Sequence, residues 1–333
     1  MTRKIHDTDY LFLTTRVRAL EGCLLNRGQM EQMLEAGSPE EAARILTDCG
    51  YPELETVSAI TVGEMLTRER ERLFQDLAEL VPDPAILAVF QLPHDYHNVK
   101  VLLKSEAMGI QEDRLLVDAG RIPSKQLAAA LRSGEVQNLP PQLGEAIDEA
   151  RQVLSATRDP QLGDMVLDRC YFQELLVLAE ETGSLFLQGY VQRMIDAANL
   201  RTVVRVLRMG QGTEFLEGIL FPGGNMEVER LLTGINGGSM LEELYASSPL
   251  VRAAETGAMA GRGGSLTQFG KDCDDAVLDE VRRAQFVAFG EAPVIAYLAA
   301  KEAEILAIRI ILTGRLADLA PDIIRERLRE AYV

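Results

Sequence analysis

Tryptophan is absent from the 333 residues, and all aromatics together supply only 5% of them. Alanine, leucine, glutamate and arginine are plentiful instead, a mixture that favours helices over strands. No stretch sustains the period-two alternation of a half-buried strand. The four cysteines (Cys23, Cys49, Cys170 and Cys273) are scattered without a Cys-x-x-Cys pair. The N-terminal Met-Thr-Arg-Lys-Ile-His lacks the apolar core of a signal peptide, so reduced, mostly packed thiols are expected. No uncharged apolar run approaches the ~18 residues that a membrane span needs, so any membrane attachment is expected to go through another protein. Positive charge is also in short supply: 34 Lys and Arg face 51 Asp and Glu, a net charge of −17. Such a surface repels nucleic-acid phosphates and anionic headgroups, and it suits a basic protein partner or serves solubility alone.

What is present reads as a folded helical protein. Hydrophobic residues make up 47% and charged residues 26%, a globular balance, and the length allows two or three domains. Leu13, Val17, Leu20 and Leu24 step by four, three and four along one helix face. Ser38, Pro39 and Glu41 form an N-cap, a first-turn proline and a capping box, with Gly50 as the stop; Thr61 and Glu64 repeat the box ahead of Leu73, Leu77 and Leu80. Ile323, Ile324, Leu328 and Ala331 predict a last amphipathic helix. Residues 133–142 read as a loop, and the glycine-rich 221–265 as short helices with loose connections. The expected fold class is all-α.

Comparing the chain with itself reveals a repeat. Asp95-x-x-Asn98-Val-Lys100, Asp196-x-x-Asn199-Leu-Arg201 and Glu304-x-x-Ala307-Ile-Arg309 each place an acid, then Asn or Ala, an aliphatic residue and a base before an apolar run. The acids are 101 and 108 residues apart, and glycines follow at Gly109, Gly210 and Gly314. Val166-Leu-Asp168-Arg169 also matches Val277-Leu-Asp279-Glu280. Regular spacing at this scale predicts three related helical modules, over 1–115, 116–215 and 216–333. Within a helix the acid and the Asn share a face, while the base turns to another side. They could contact a partner, or pin neighbouring helices within each module. The second is preferred, because a feature common to every module serves what every module shares, its packing.

Signatures of chemistry fail one at a time. His94 and His97 stand i, i+3 beside Asp95, but no second pair of ligands accompanies them. The stretch Gly264 to Asp272 brushes against a phosphate loop, yet it has one residue too many and Asp272 occupies the magnesium-ligating position. Gly210-Gln-Gly212 and Gly261-Arg-Gly263 lack the third glycine of a dinucleotide fingerprint. There is no Gly-x-Ser-x-Gly elbow, and no carboxylate pair is singled out. No catalytic residue, metal or cofactor is expected.

Several of these segments carry a likeness. Asp9-Tyr10-Leu-Phe-Leu-Thr-Thr-Arg16-Val-Arg18-Ala-Leu-Glu21, His94 to Lys100, Lys301-Glu-Ala-Glu304, Arg309 to Arg315 and the terminal Ile-Arg-Glu-Arg-Leu-Arg-Glu-Ala-Tyr-Val resemble the C subunits of the V/A-type rotary ATPases, relatives of the eukaryotic V-ATPase d subunit. The likeness covers essentially the whole chain. It departs at Ala307, where the family has Asn, so this position need not act alike in all three modules. The resemblance implies a funnel-like, pseudo-threefold arrangement of three helical domains. It also implies a central-stalk place in the rotor, between the proteolipid (c/K) ring of the membrane sector and the D and F subunits of the shaft. That is a non-catalytic, peripheral role on the cytoplasmic side, passing torque between ion transport, of protons or sodium, and ATP synthesis or hydrolysis. Two other readings stay in view. A helical scaffold of another cytosolic complex would share the repeat without the ring, and an all-helical enzyme would bind or turn over a small molecule alone.

Overall fold

The computed structural model describes residues 6–333. Among these are fifteen α-helices and no strand. In chain order they are α1 (Leu11–Glu21), α2 (Arg27–Glu35), α3 (Pro39–Ile45), α4 (Ala59–Ala78), α5 (Pro84–Met108), α6 (Ser124–Ser133), α7 (Pro141–Thr157) and α8 (Pro160–Glu181). Then come α9 (Leu185–Arg208), α10 (Val228–Asn236), α11 (Leu241–Leu244), α12 (Val251–Gly261), α13 (Leu266–Arg282), α14 (Ala292–Leu316) and α15 (Pro321–Arg325). None among the described residues is long and apolar enough to cross a membrane. The fold is all-α.

Local chemistry sets the helix starts. Asp83 precedes Pro84 and Asp159 precedes Pro160, and in each case the aspartate accepts the N–H two residues on, at 3.0 and 2.9 Å. This couples a side-chain cap to a proline that has no N–H to lose. Ser38 caps α3 as predicted, accepting the Glu41 N–H at 3.1 Å. Glu41, however, reaches the Gly37 N–H at 2.7 Å rather than that of Ser38. The predicted box at Thr61 and Glu64 lies one turn too late. Ser58 is the cap, exchanging bonds with Thr61 at 2.9 and 3.2 Å. Thr61 is therefore the return partner, because an earlier hydroxyl already meets the free N–H groups.

The chain divides into two compact units. One comprises Leu73–Glu79 and Asp83–Ser184. In it α8 packs against both α5 and α7, burying Leu143, Ile147, Leu167 and Leu175. Gly163 lets α8 approach α7, since a Cβ there would lie 2.9 Å from the Leu154 side chain.

The other unit gathers the segments up to Arg72, Leu80–Pro82 and Leu185–Val333. One of its cores joins α2, α3, the start of α4, α14 and α15 around Met33, Leu34, Leu46, Leu66, Ile308 and Leu312. A second core joins α9 to α10–α13 around Leu200, Val204, Leu231, Tyr245 and Phe269. The short helices expected in 221–265 are there.

The final helix is shorter than the apolar spacing predicts, ending at Arg325. Beyond it the backbone finds other partners. Glu330 N–H donates to Asp275 at 2.9 Å, and Arg282 and Gln285 donate to the Ala331 and Tyr332 carbonyls at 2.6 and 3.1 Å. These bonds replace helical ones, while Leu328 and Tyr332 remain buried. The three glycines that follow the repeats also diverge. Gly109 and Gly210 close their helices at φ +66, where a side chain is disfavoured. Gly314 lies inside α14, where a Cβ would meet Ile324 at 2.8 Å.

Candidate functional site

The eight repeat residues sit on three helices, α5, α9 and α14, and the first two copies build one device. Asp95 and Asn98 are wholly buried. The Asn98 amide clasps the backbone of Val117, donating to its carbonyl and accepting its N–H, both at 2.8 Å. Asp95 accepts the Ile122 N–H at 3.2 Å and the Arg121 guanidinium at 2.7 Å. Gly120 completes the clasp, because a Cβ there would lie 2.1 Å from the Asp95 carboxylate.

The second copy repeats this position by position. Asn199 donates to the Phe221 carbonyl at 2.7 Å and accepts its N–H at 2.8 Å. Asp196 accepts the Met226 N–H at 2.9 Å and the Asn225 amide at 3.0 Å. A Cβ on Gly224 would stand 2.2 Å from its carboxylate. Each pair thus ties a six-residue loop, 117–122 or 221–226, to its helix. The buried carboxylate and amide find their partners in loop backbone, which also serves N–H and C=O groups that no helix supplies.

Electrostatics differ between the copies. Burial raises the Asp95 pKa, only partly offset by Arg121. Arg121 spans Asp95 and Glu174, its second bond being 2.7 Å, and the Tyr96 hydroxyl donates to Glu174 at 2.9 Å. Burial alone would lower the Arg121 pKa, but its two carboxylate partners raise it. In the second copy the neutral Asn225 takes the arginine's place.

The third copy is rebuilt. Glu304 is buried with Lys301, whose ammonium lies 3.4 Å from it and 3.1 Å from Glu69 of α4. The same ammonium stands 4.4 Å above the Tyr51 ring. Burial raises the Glu304 pKa against the pull of Lys301. Ala307 is buried among apolar neighbours and makes no clasp.

The basic residues of the repeat turn elsewhere, as the spacing predicts. Lys100 bonds Asp168 of α8 at 2.5 Å, with Lys104 to Asp164 at 2.6 Å beside it. Arg201 bonds Asp274 of α13, which Arg329 also holds at 2.7 Å. The matched acid Asp279 does not play Asp168's part; it pairs with Arg282 on its own helix at 2.6 Å. Arg309 alone among the three has no carboxylate within ion-pair distance among the described residues.

Other motifs resolve into structure. The His97 ring meets the Leu115 carbonyl at 3.1 Å. No group of three or more metal-binding side chains occurs among the described residues. In the glycine-rich 264–272 stretch, Ser265 caps α13 by accepting the Gln268 N–H at 3.2 Å, and Asp272 is held by Gln268 at 3.0 Å. Cys49 and Cys273 are buried free thiols, Cys170 is half-buried and Cys23 exposed; burial pushes the Cys273 pKa up to about 12. The loop partners Gly120, Arg121, Gly224 and Asn225 escaped the sequence comparison. The signal was there, a glycine three residues after the clasped backbone in both loops, but the loops otherwise share little.

The arrangement holds loops and helix pairs. The sequence matches, over residues 13–327, the family described as ATP synthase (C/AC39) subunit. The C subunit of the V-type sodium ATPase of Enterococcus hirae is 26% identical over 97% of this chain and 99% of its own length. The C subunit of the V-type ATP synthase of Thermus thermophilus is 26% identical over 93% and 94%. The C subunit of the A-type ATP synthase of Methanocaldococcus jannaschii is 23% identical over 96% and 86%. A match of this extent leaves one assignment: the chain belongs to the ATP synthase (C/AC39) subunit family.

Proposed function

We propose that this protein is a non-catalytic central-stalk component of a V/A-type rotary ATPase. It couples the proteolipid ring of the membrane sector to the D and F subunits of the shaft, so that ion translocation drives ATP synthesis or is driven by hydrolysis. It is held on the cytoplasmic side of the membrane through the complex. The observation that carries this reading is the family match over residues 13–327, with relatives covered nearly end to end.

Torque transfer needs stiffness, and the polar groups of the repeat support that requirement. Two loops are clasped by buried Asp–Asn pairs, and α5–α8, α9–α13 and α14–α4 are each joined by ion pairs. In each case the partner helix is the one that directly precedes a repeat helix in the chain. This cyclic pattern favours three related modules, placed at 1–115, 116–215 and 216–333, with each ion pair and each clasp joining one module to the next, so that the marker residues other than Arg309 serve packing.

Part of the net charge of −17 faces a ring whose cytoplasmic loops are rich in Lys and Arg. Ring binding should then weaken as salt screens it; binding indifferent to ionic strength would point to an apolar socket instead. The functional test compares vesicles carrying the complete ATPase with vesicles stripped of this chain. ATP hydrolysis by the head should persist in both, while ATP-driven ion uptake should require the chain and return when it is added back. Coupled uptake without it would overturn the proposal.

A further inference from the structure

The third copy of the repeat has a cation without its acid. Asp168 and Asp274, which neutralise Lys100 and Arg201, lie 28 and 30 residues ahead of the marker acids Asp196 and Glu304. The corresponding stretch of α4, equally far ahead of Asp95, reads Met65-Leu66-Thr67 and offers no carboxylate. Instead α4 brings a second cation, Arg70, already engaged in two 2.7 Å bonds to Glu302. Arg309 is exposed, and burial of part of the side chain together with the charge of Arg70 lowers its pKa.

Arg309 opens into a cleft of about 360 Å³ shared with Arg70, Arg329, Glu302, Asp274 and Leu306. Asp274 already serves both Arg201 and Arg329. Three arginines line the cleft against two carboxylates, one of which also serves Arg201 from outside it, an excess of positive charge in a chain that carries −17 overall. An acidic group is repelled by most of such a surface and drawn to a locally basic cleft such as this. The cleft walls include Val277, Leu278 and Ile305, apolar surface that suits the methylenes of an acidic side chain.

We propose that this cleft receives the carboxylate of an aspartate or glutamate from a partner chain, with Arg309 as its cation, so that the partner supplies the acid the third repeat lacks. The proposal rests on the rotary-complex reading above. Planar guanidinium suits paired hydrogen bonds to a carboxylate, which a lysine reproduces only as a point charge.

The test uses the tagged full chain in assembled complexes, with wild-type recovery measured alongside, so that failure of wild type to assemble counts against the rotary reading and not this one. Arg309→Gln should lower retention on washed complexes roughly tenfold with an unchanged melting temperature, and Arg309→Lys should restore most of it. In Arg309→Lys complexes, a zero-length carbodiimide should join the introduced amine to an Asp or Glu of another chain, mapped by mass spectrometry. The Lys100–Asp168 pair reports that the reagent has acted. The proposal is overturned if Arg309→Gln is retained like wild type, or if the amine couples only to Glu302 or Asp274 of its own chain, or to nothing.

Discussion

At Gly120 and Gly224 a hydrogen stands where a methyl group would lie 2.1 and 2.2 Å from a buried carboxylate. Replacing either by alanine forces the aspartate off its loop, with a cost of about 2–4 kcal/mol from bonds left unmade. The contrast is Gly63→Ala in α4, where a Cβ meets nothing within 4 Å; there alanine should stabilise by about 0.5–1 kcal/mol. Urea denaturation of the three variants measures both signs, and equal effects at all three sites would refute the clasp. Asn98→Ala and Asn199→Ala should each cost about 2–3 kcal/mol in the same assay, since each strands a buried N–H and C=O. Ala307→Asn should destabilise rather than repair, by about 1–3 kcal/mol, because its amide would enter an apolar core. The repeat exposed the clasping residues but not what they clasp. A helix-borne Asp or Asn announces itself by spacing, whereas its backbone partner can be almost any residue in a loop of variable length.

Between elements, a few buried charges add to the apolar packing. Lys301 is a buried cation serving Glu69 and Glu304 between α14 and α4. Lys301→Met leaves two buried carboxylates facing each other, at a cost of about 3–5 kcal/mol. Adding Glu304→Gln should recover part of that loss in denaturant titrations; no recovery would mean the ammonium matters through packing on Tyr51 alone. The C-terminal segment is tied differently. Hydrogen bonds from Arg325 and Arg282 lower the pKa values of Glu31 and Glu330 below 4.5. Their contribution is therefore present above that value and lost as pH falls through the lowered range. Asp95 and Glu304, with raised values, have the opposite sign: their contribution is complete at low pH and lost as pH rises through the raised range. On acidification, hydrogen exchange should accelerate in 321–332 before it does around 95–122, and the reverse order would contradict this assignment. The helices around Leu13, Pro39 and Leu73 were legible because apolar spacing and caps are local. Sequence misplaced the α4 cap by one turn, since two hydroxyls competed, and it overextended α15, since the segment's backbone partners lie on α13 and beyond, some 50 residues earlier.

For the whole molecule, membership of the family carries most of the weight, and the physical reading agrees with it. The marker groups are engaged in holding loops and helix pairs, and Arg309 is left to look outward. The acidic charge and the repeat were legible from composition and self-comparison. The division into two compact units was not, because it depends on which helix faces meet rather than on where the repeat begins. The central claim is membership of a rotary complex. The most direct measurement is affinity purification of the tagged chain from gently solubilised membranes, with identification of every co-eluting protein. The expected result is proteolipid together with shaft and head subunits. A folded, tagged chain that brings down none of them would contradict it.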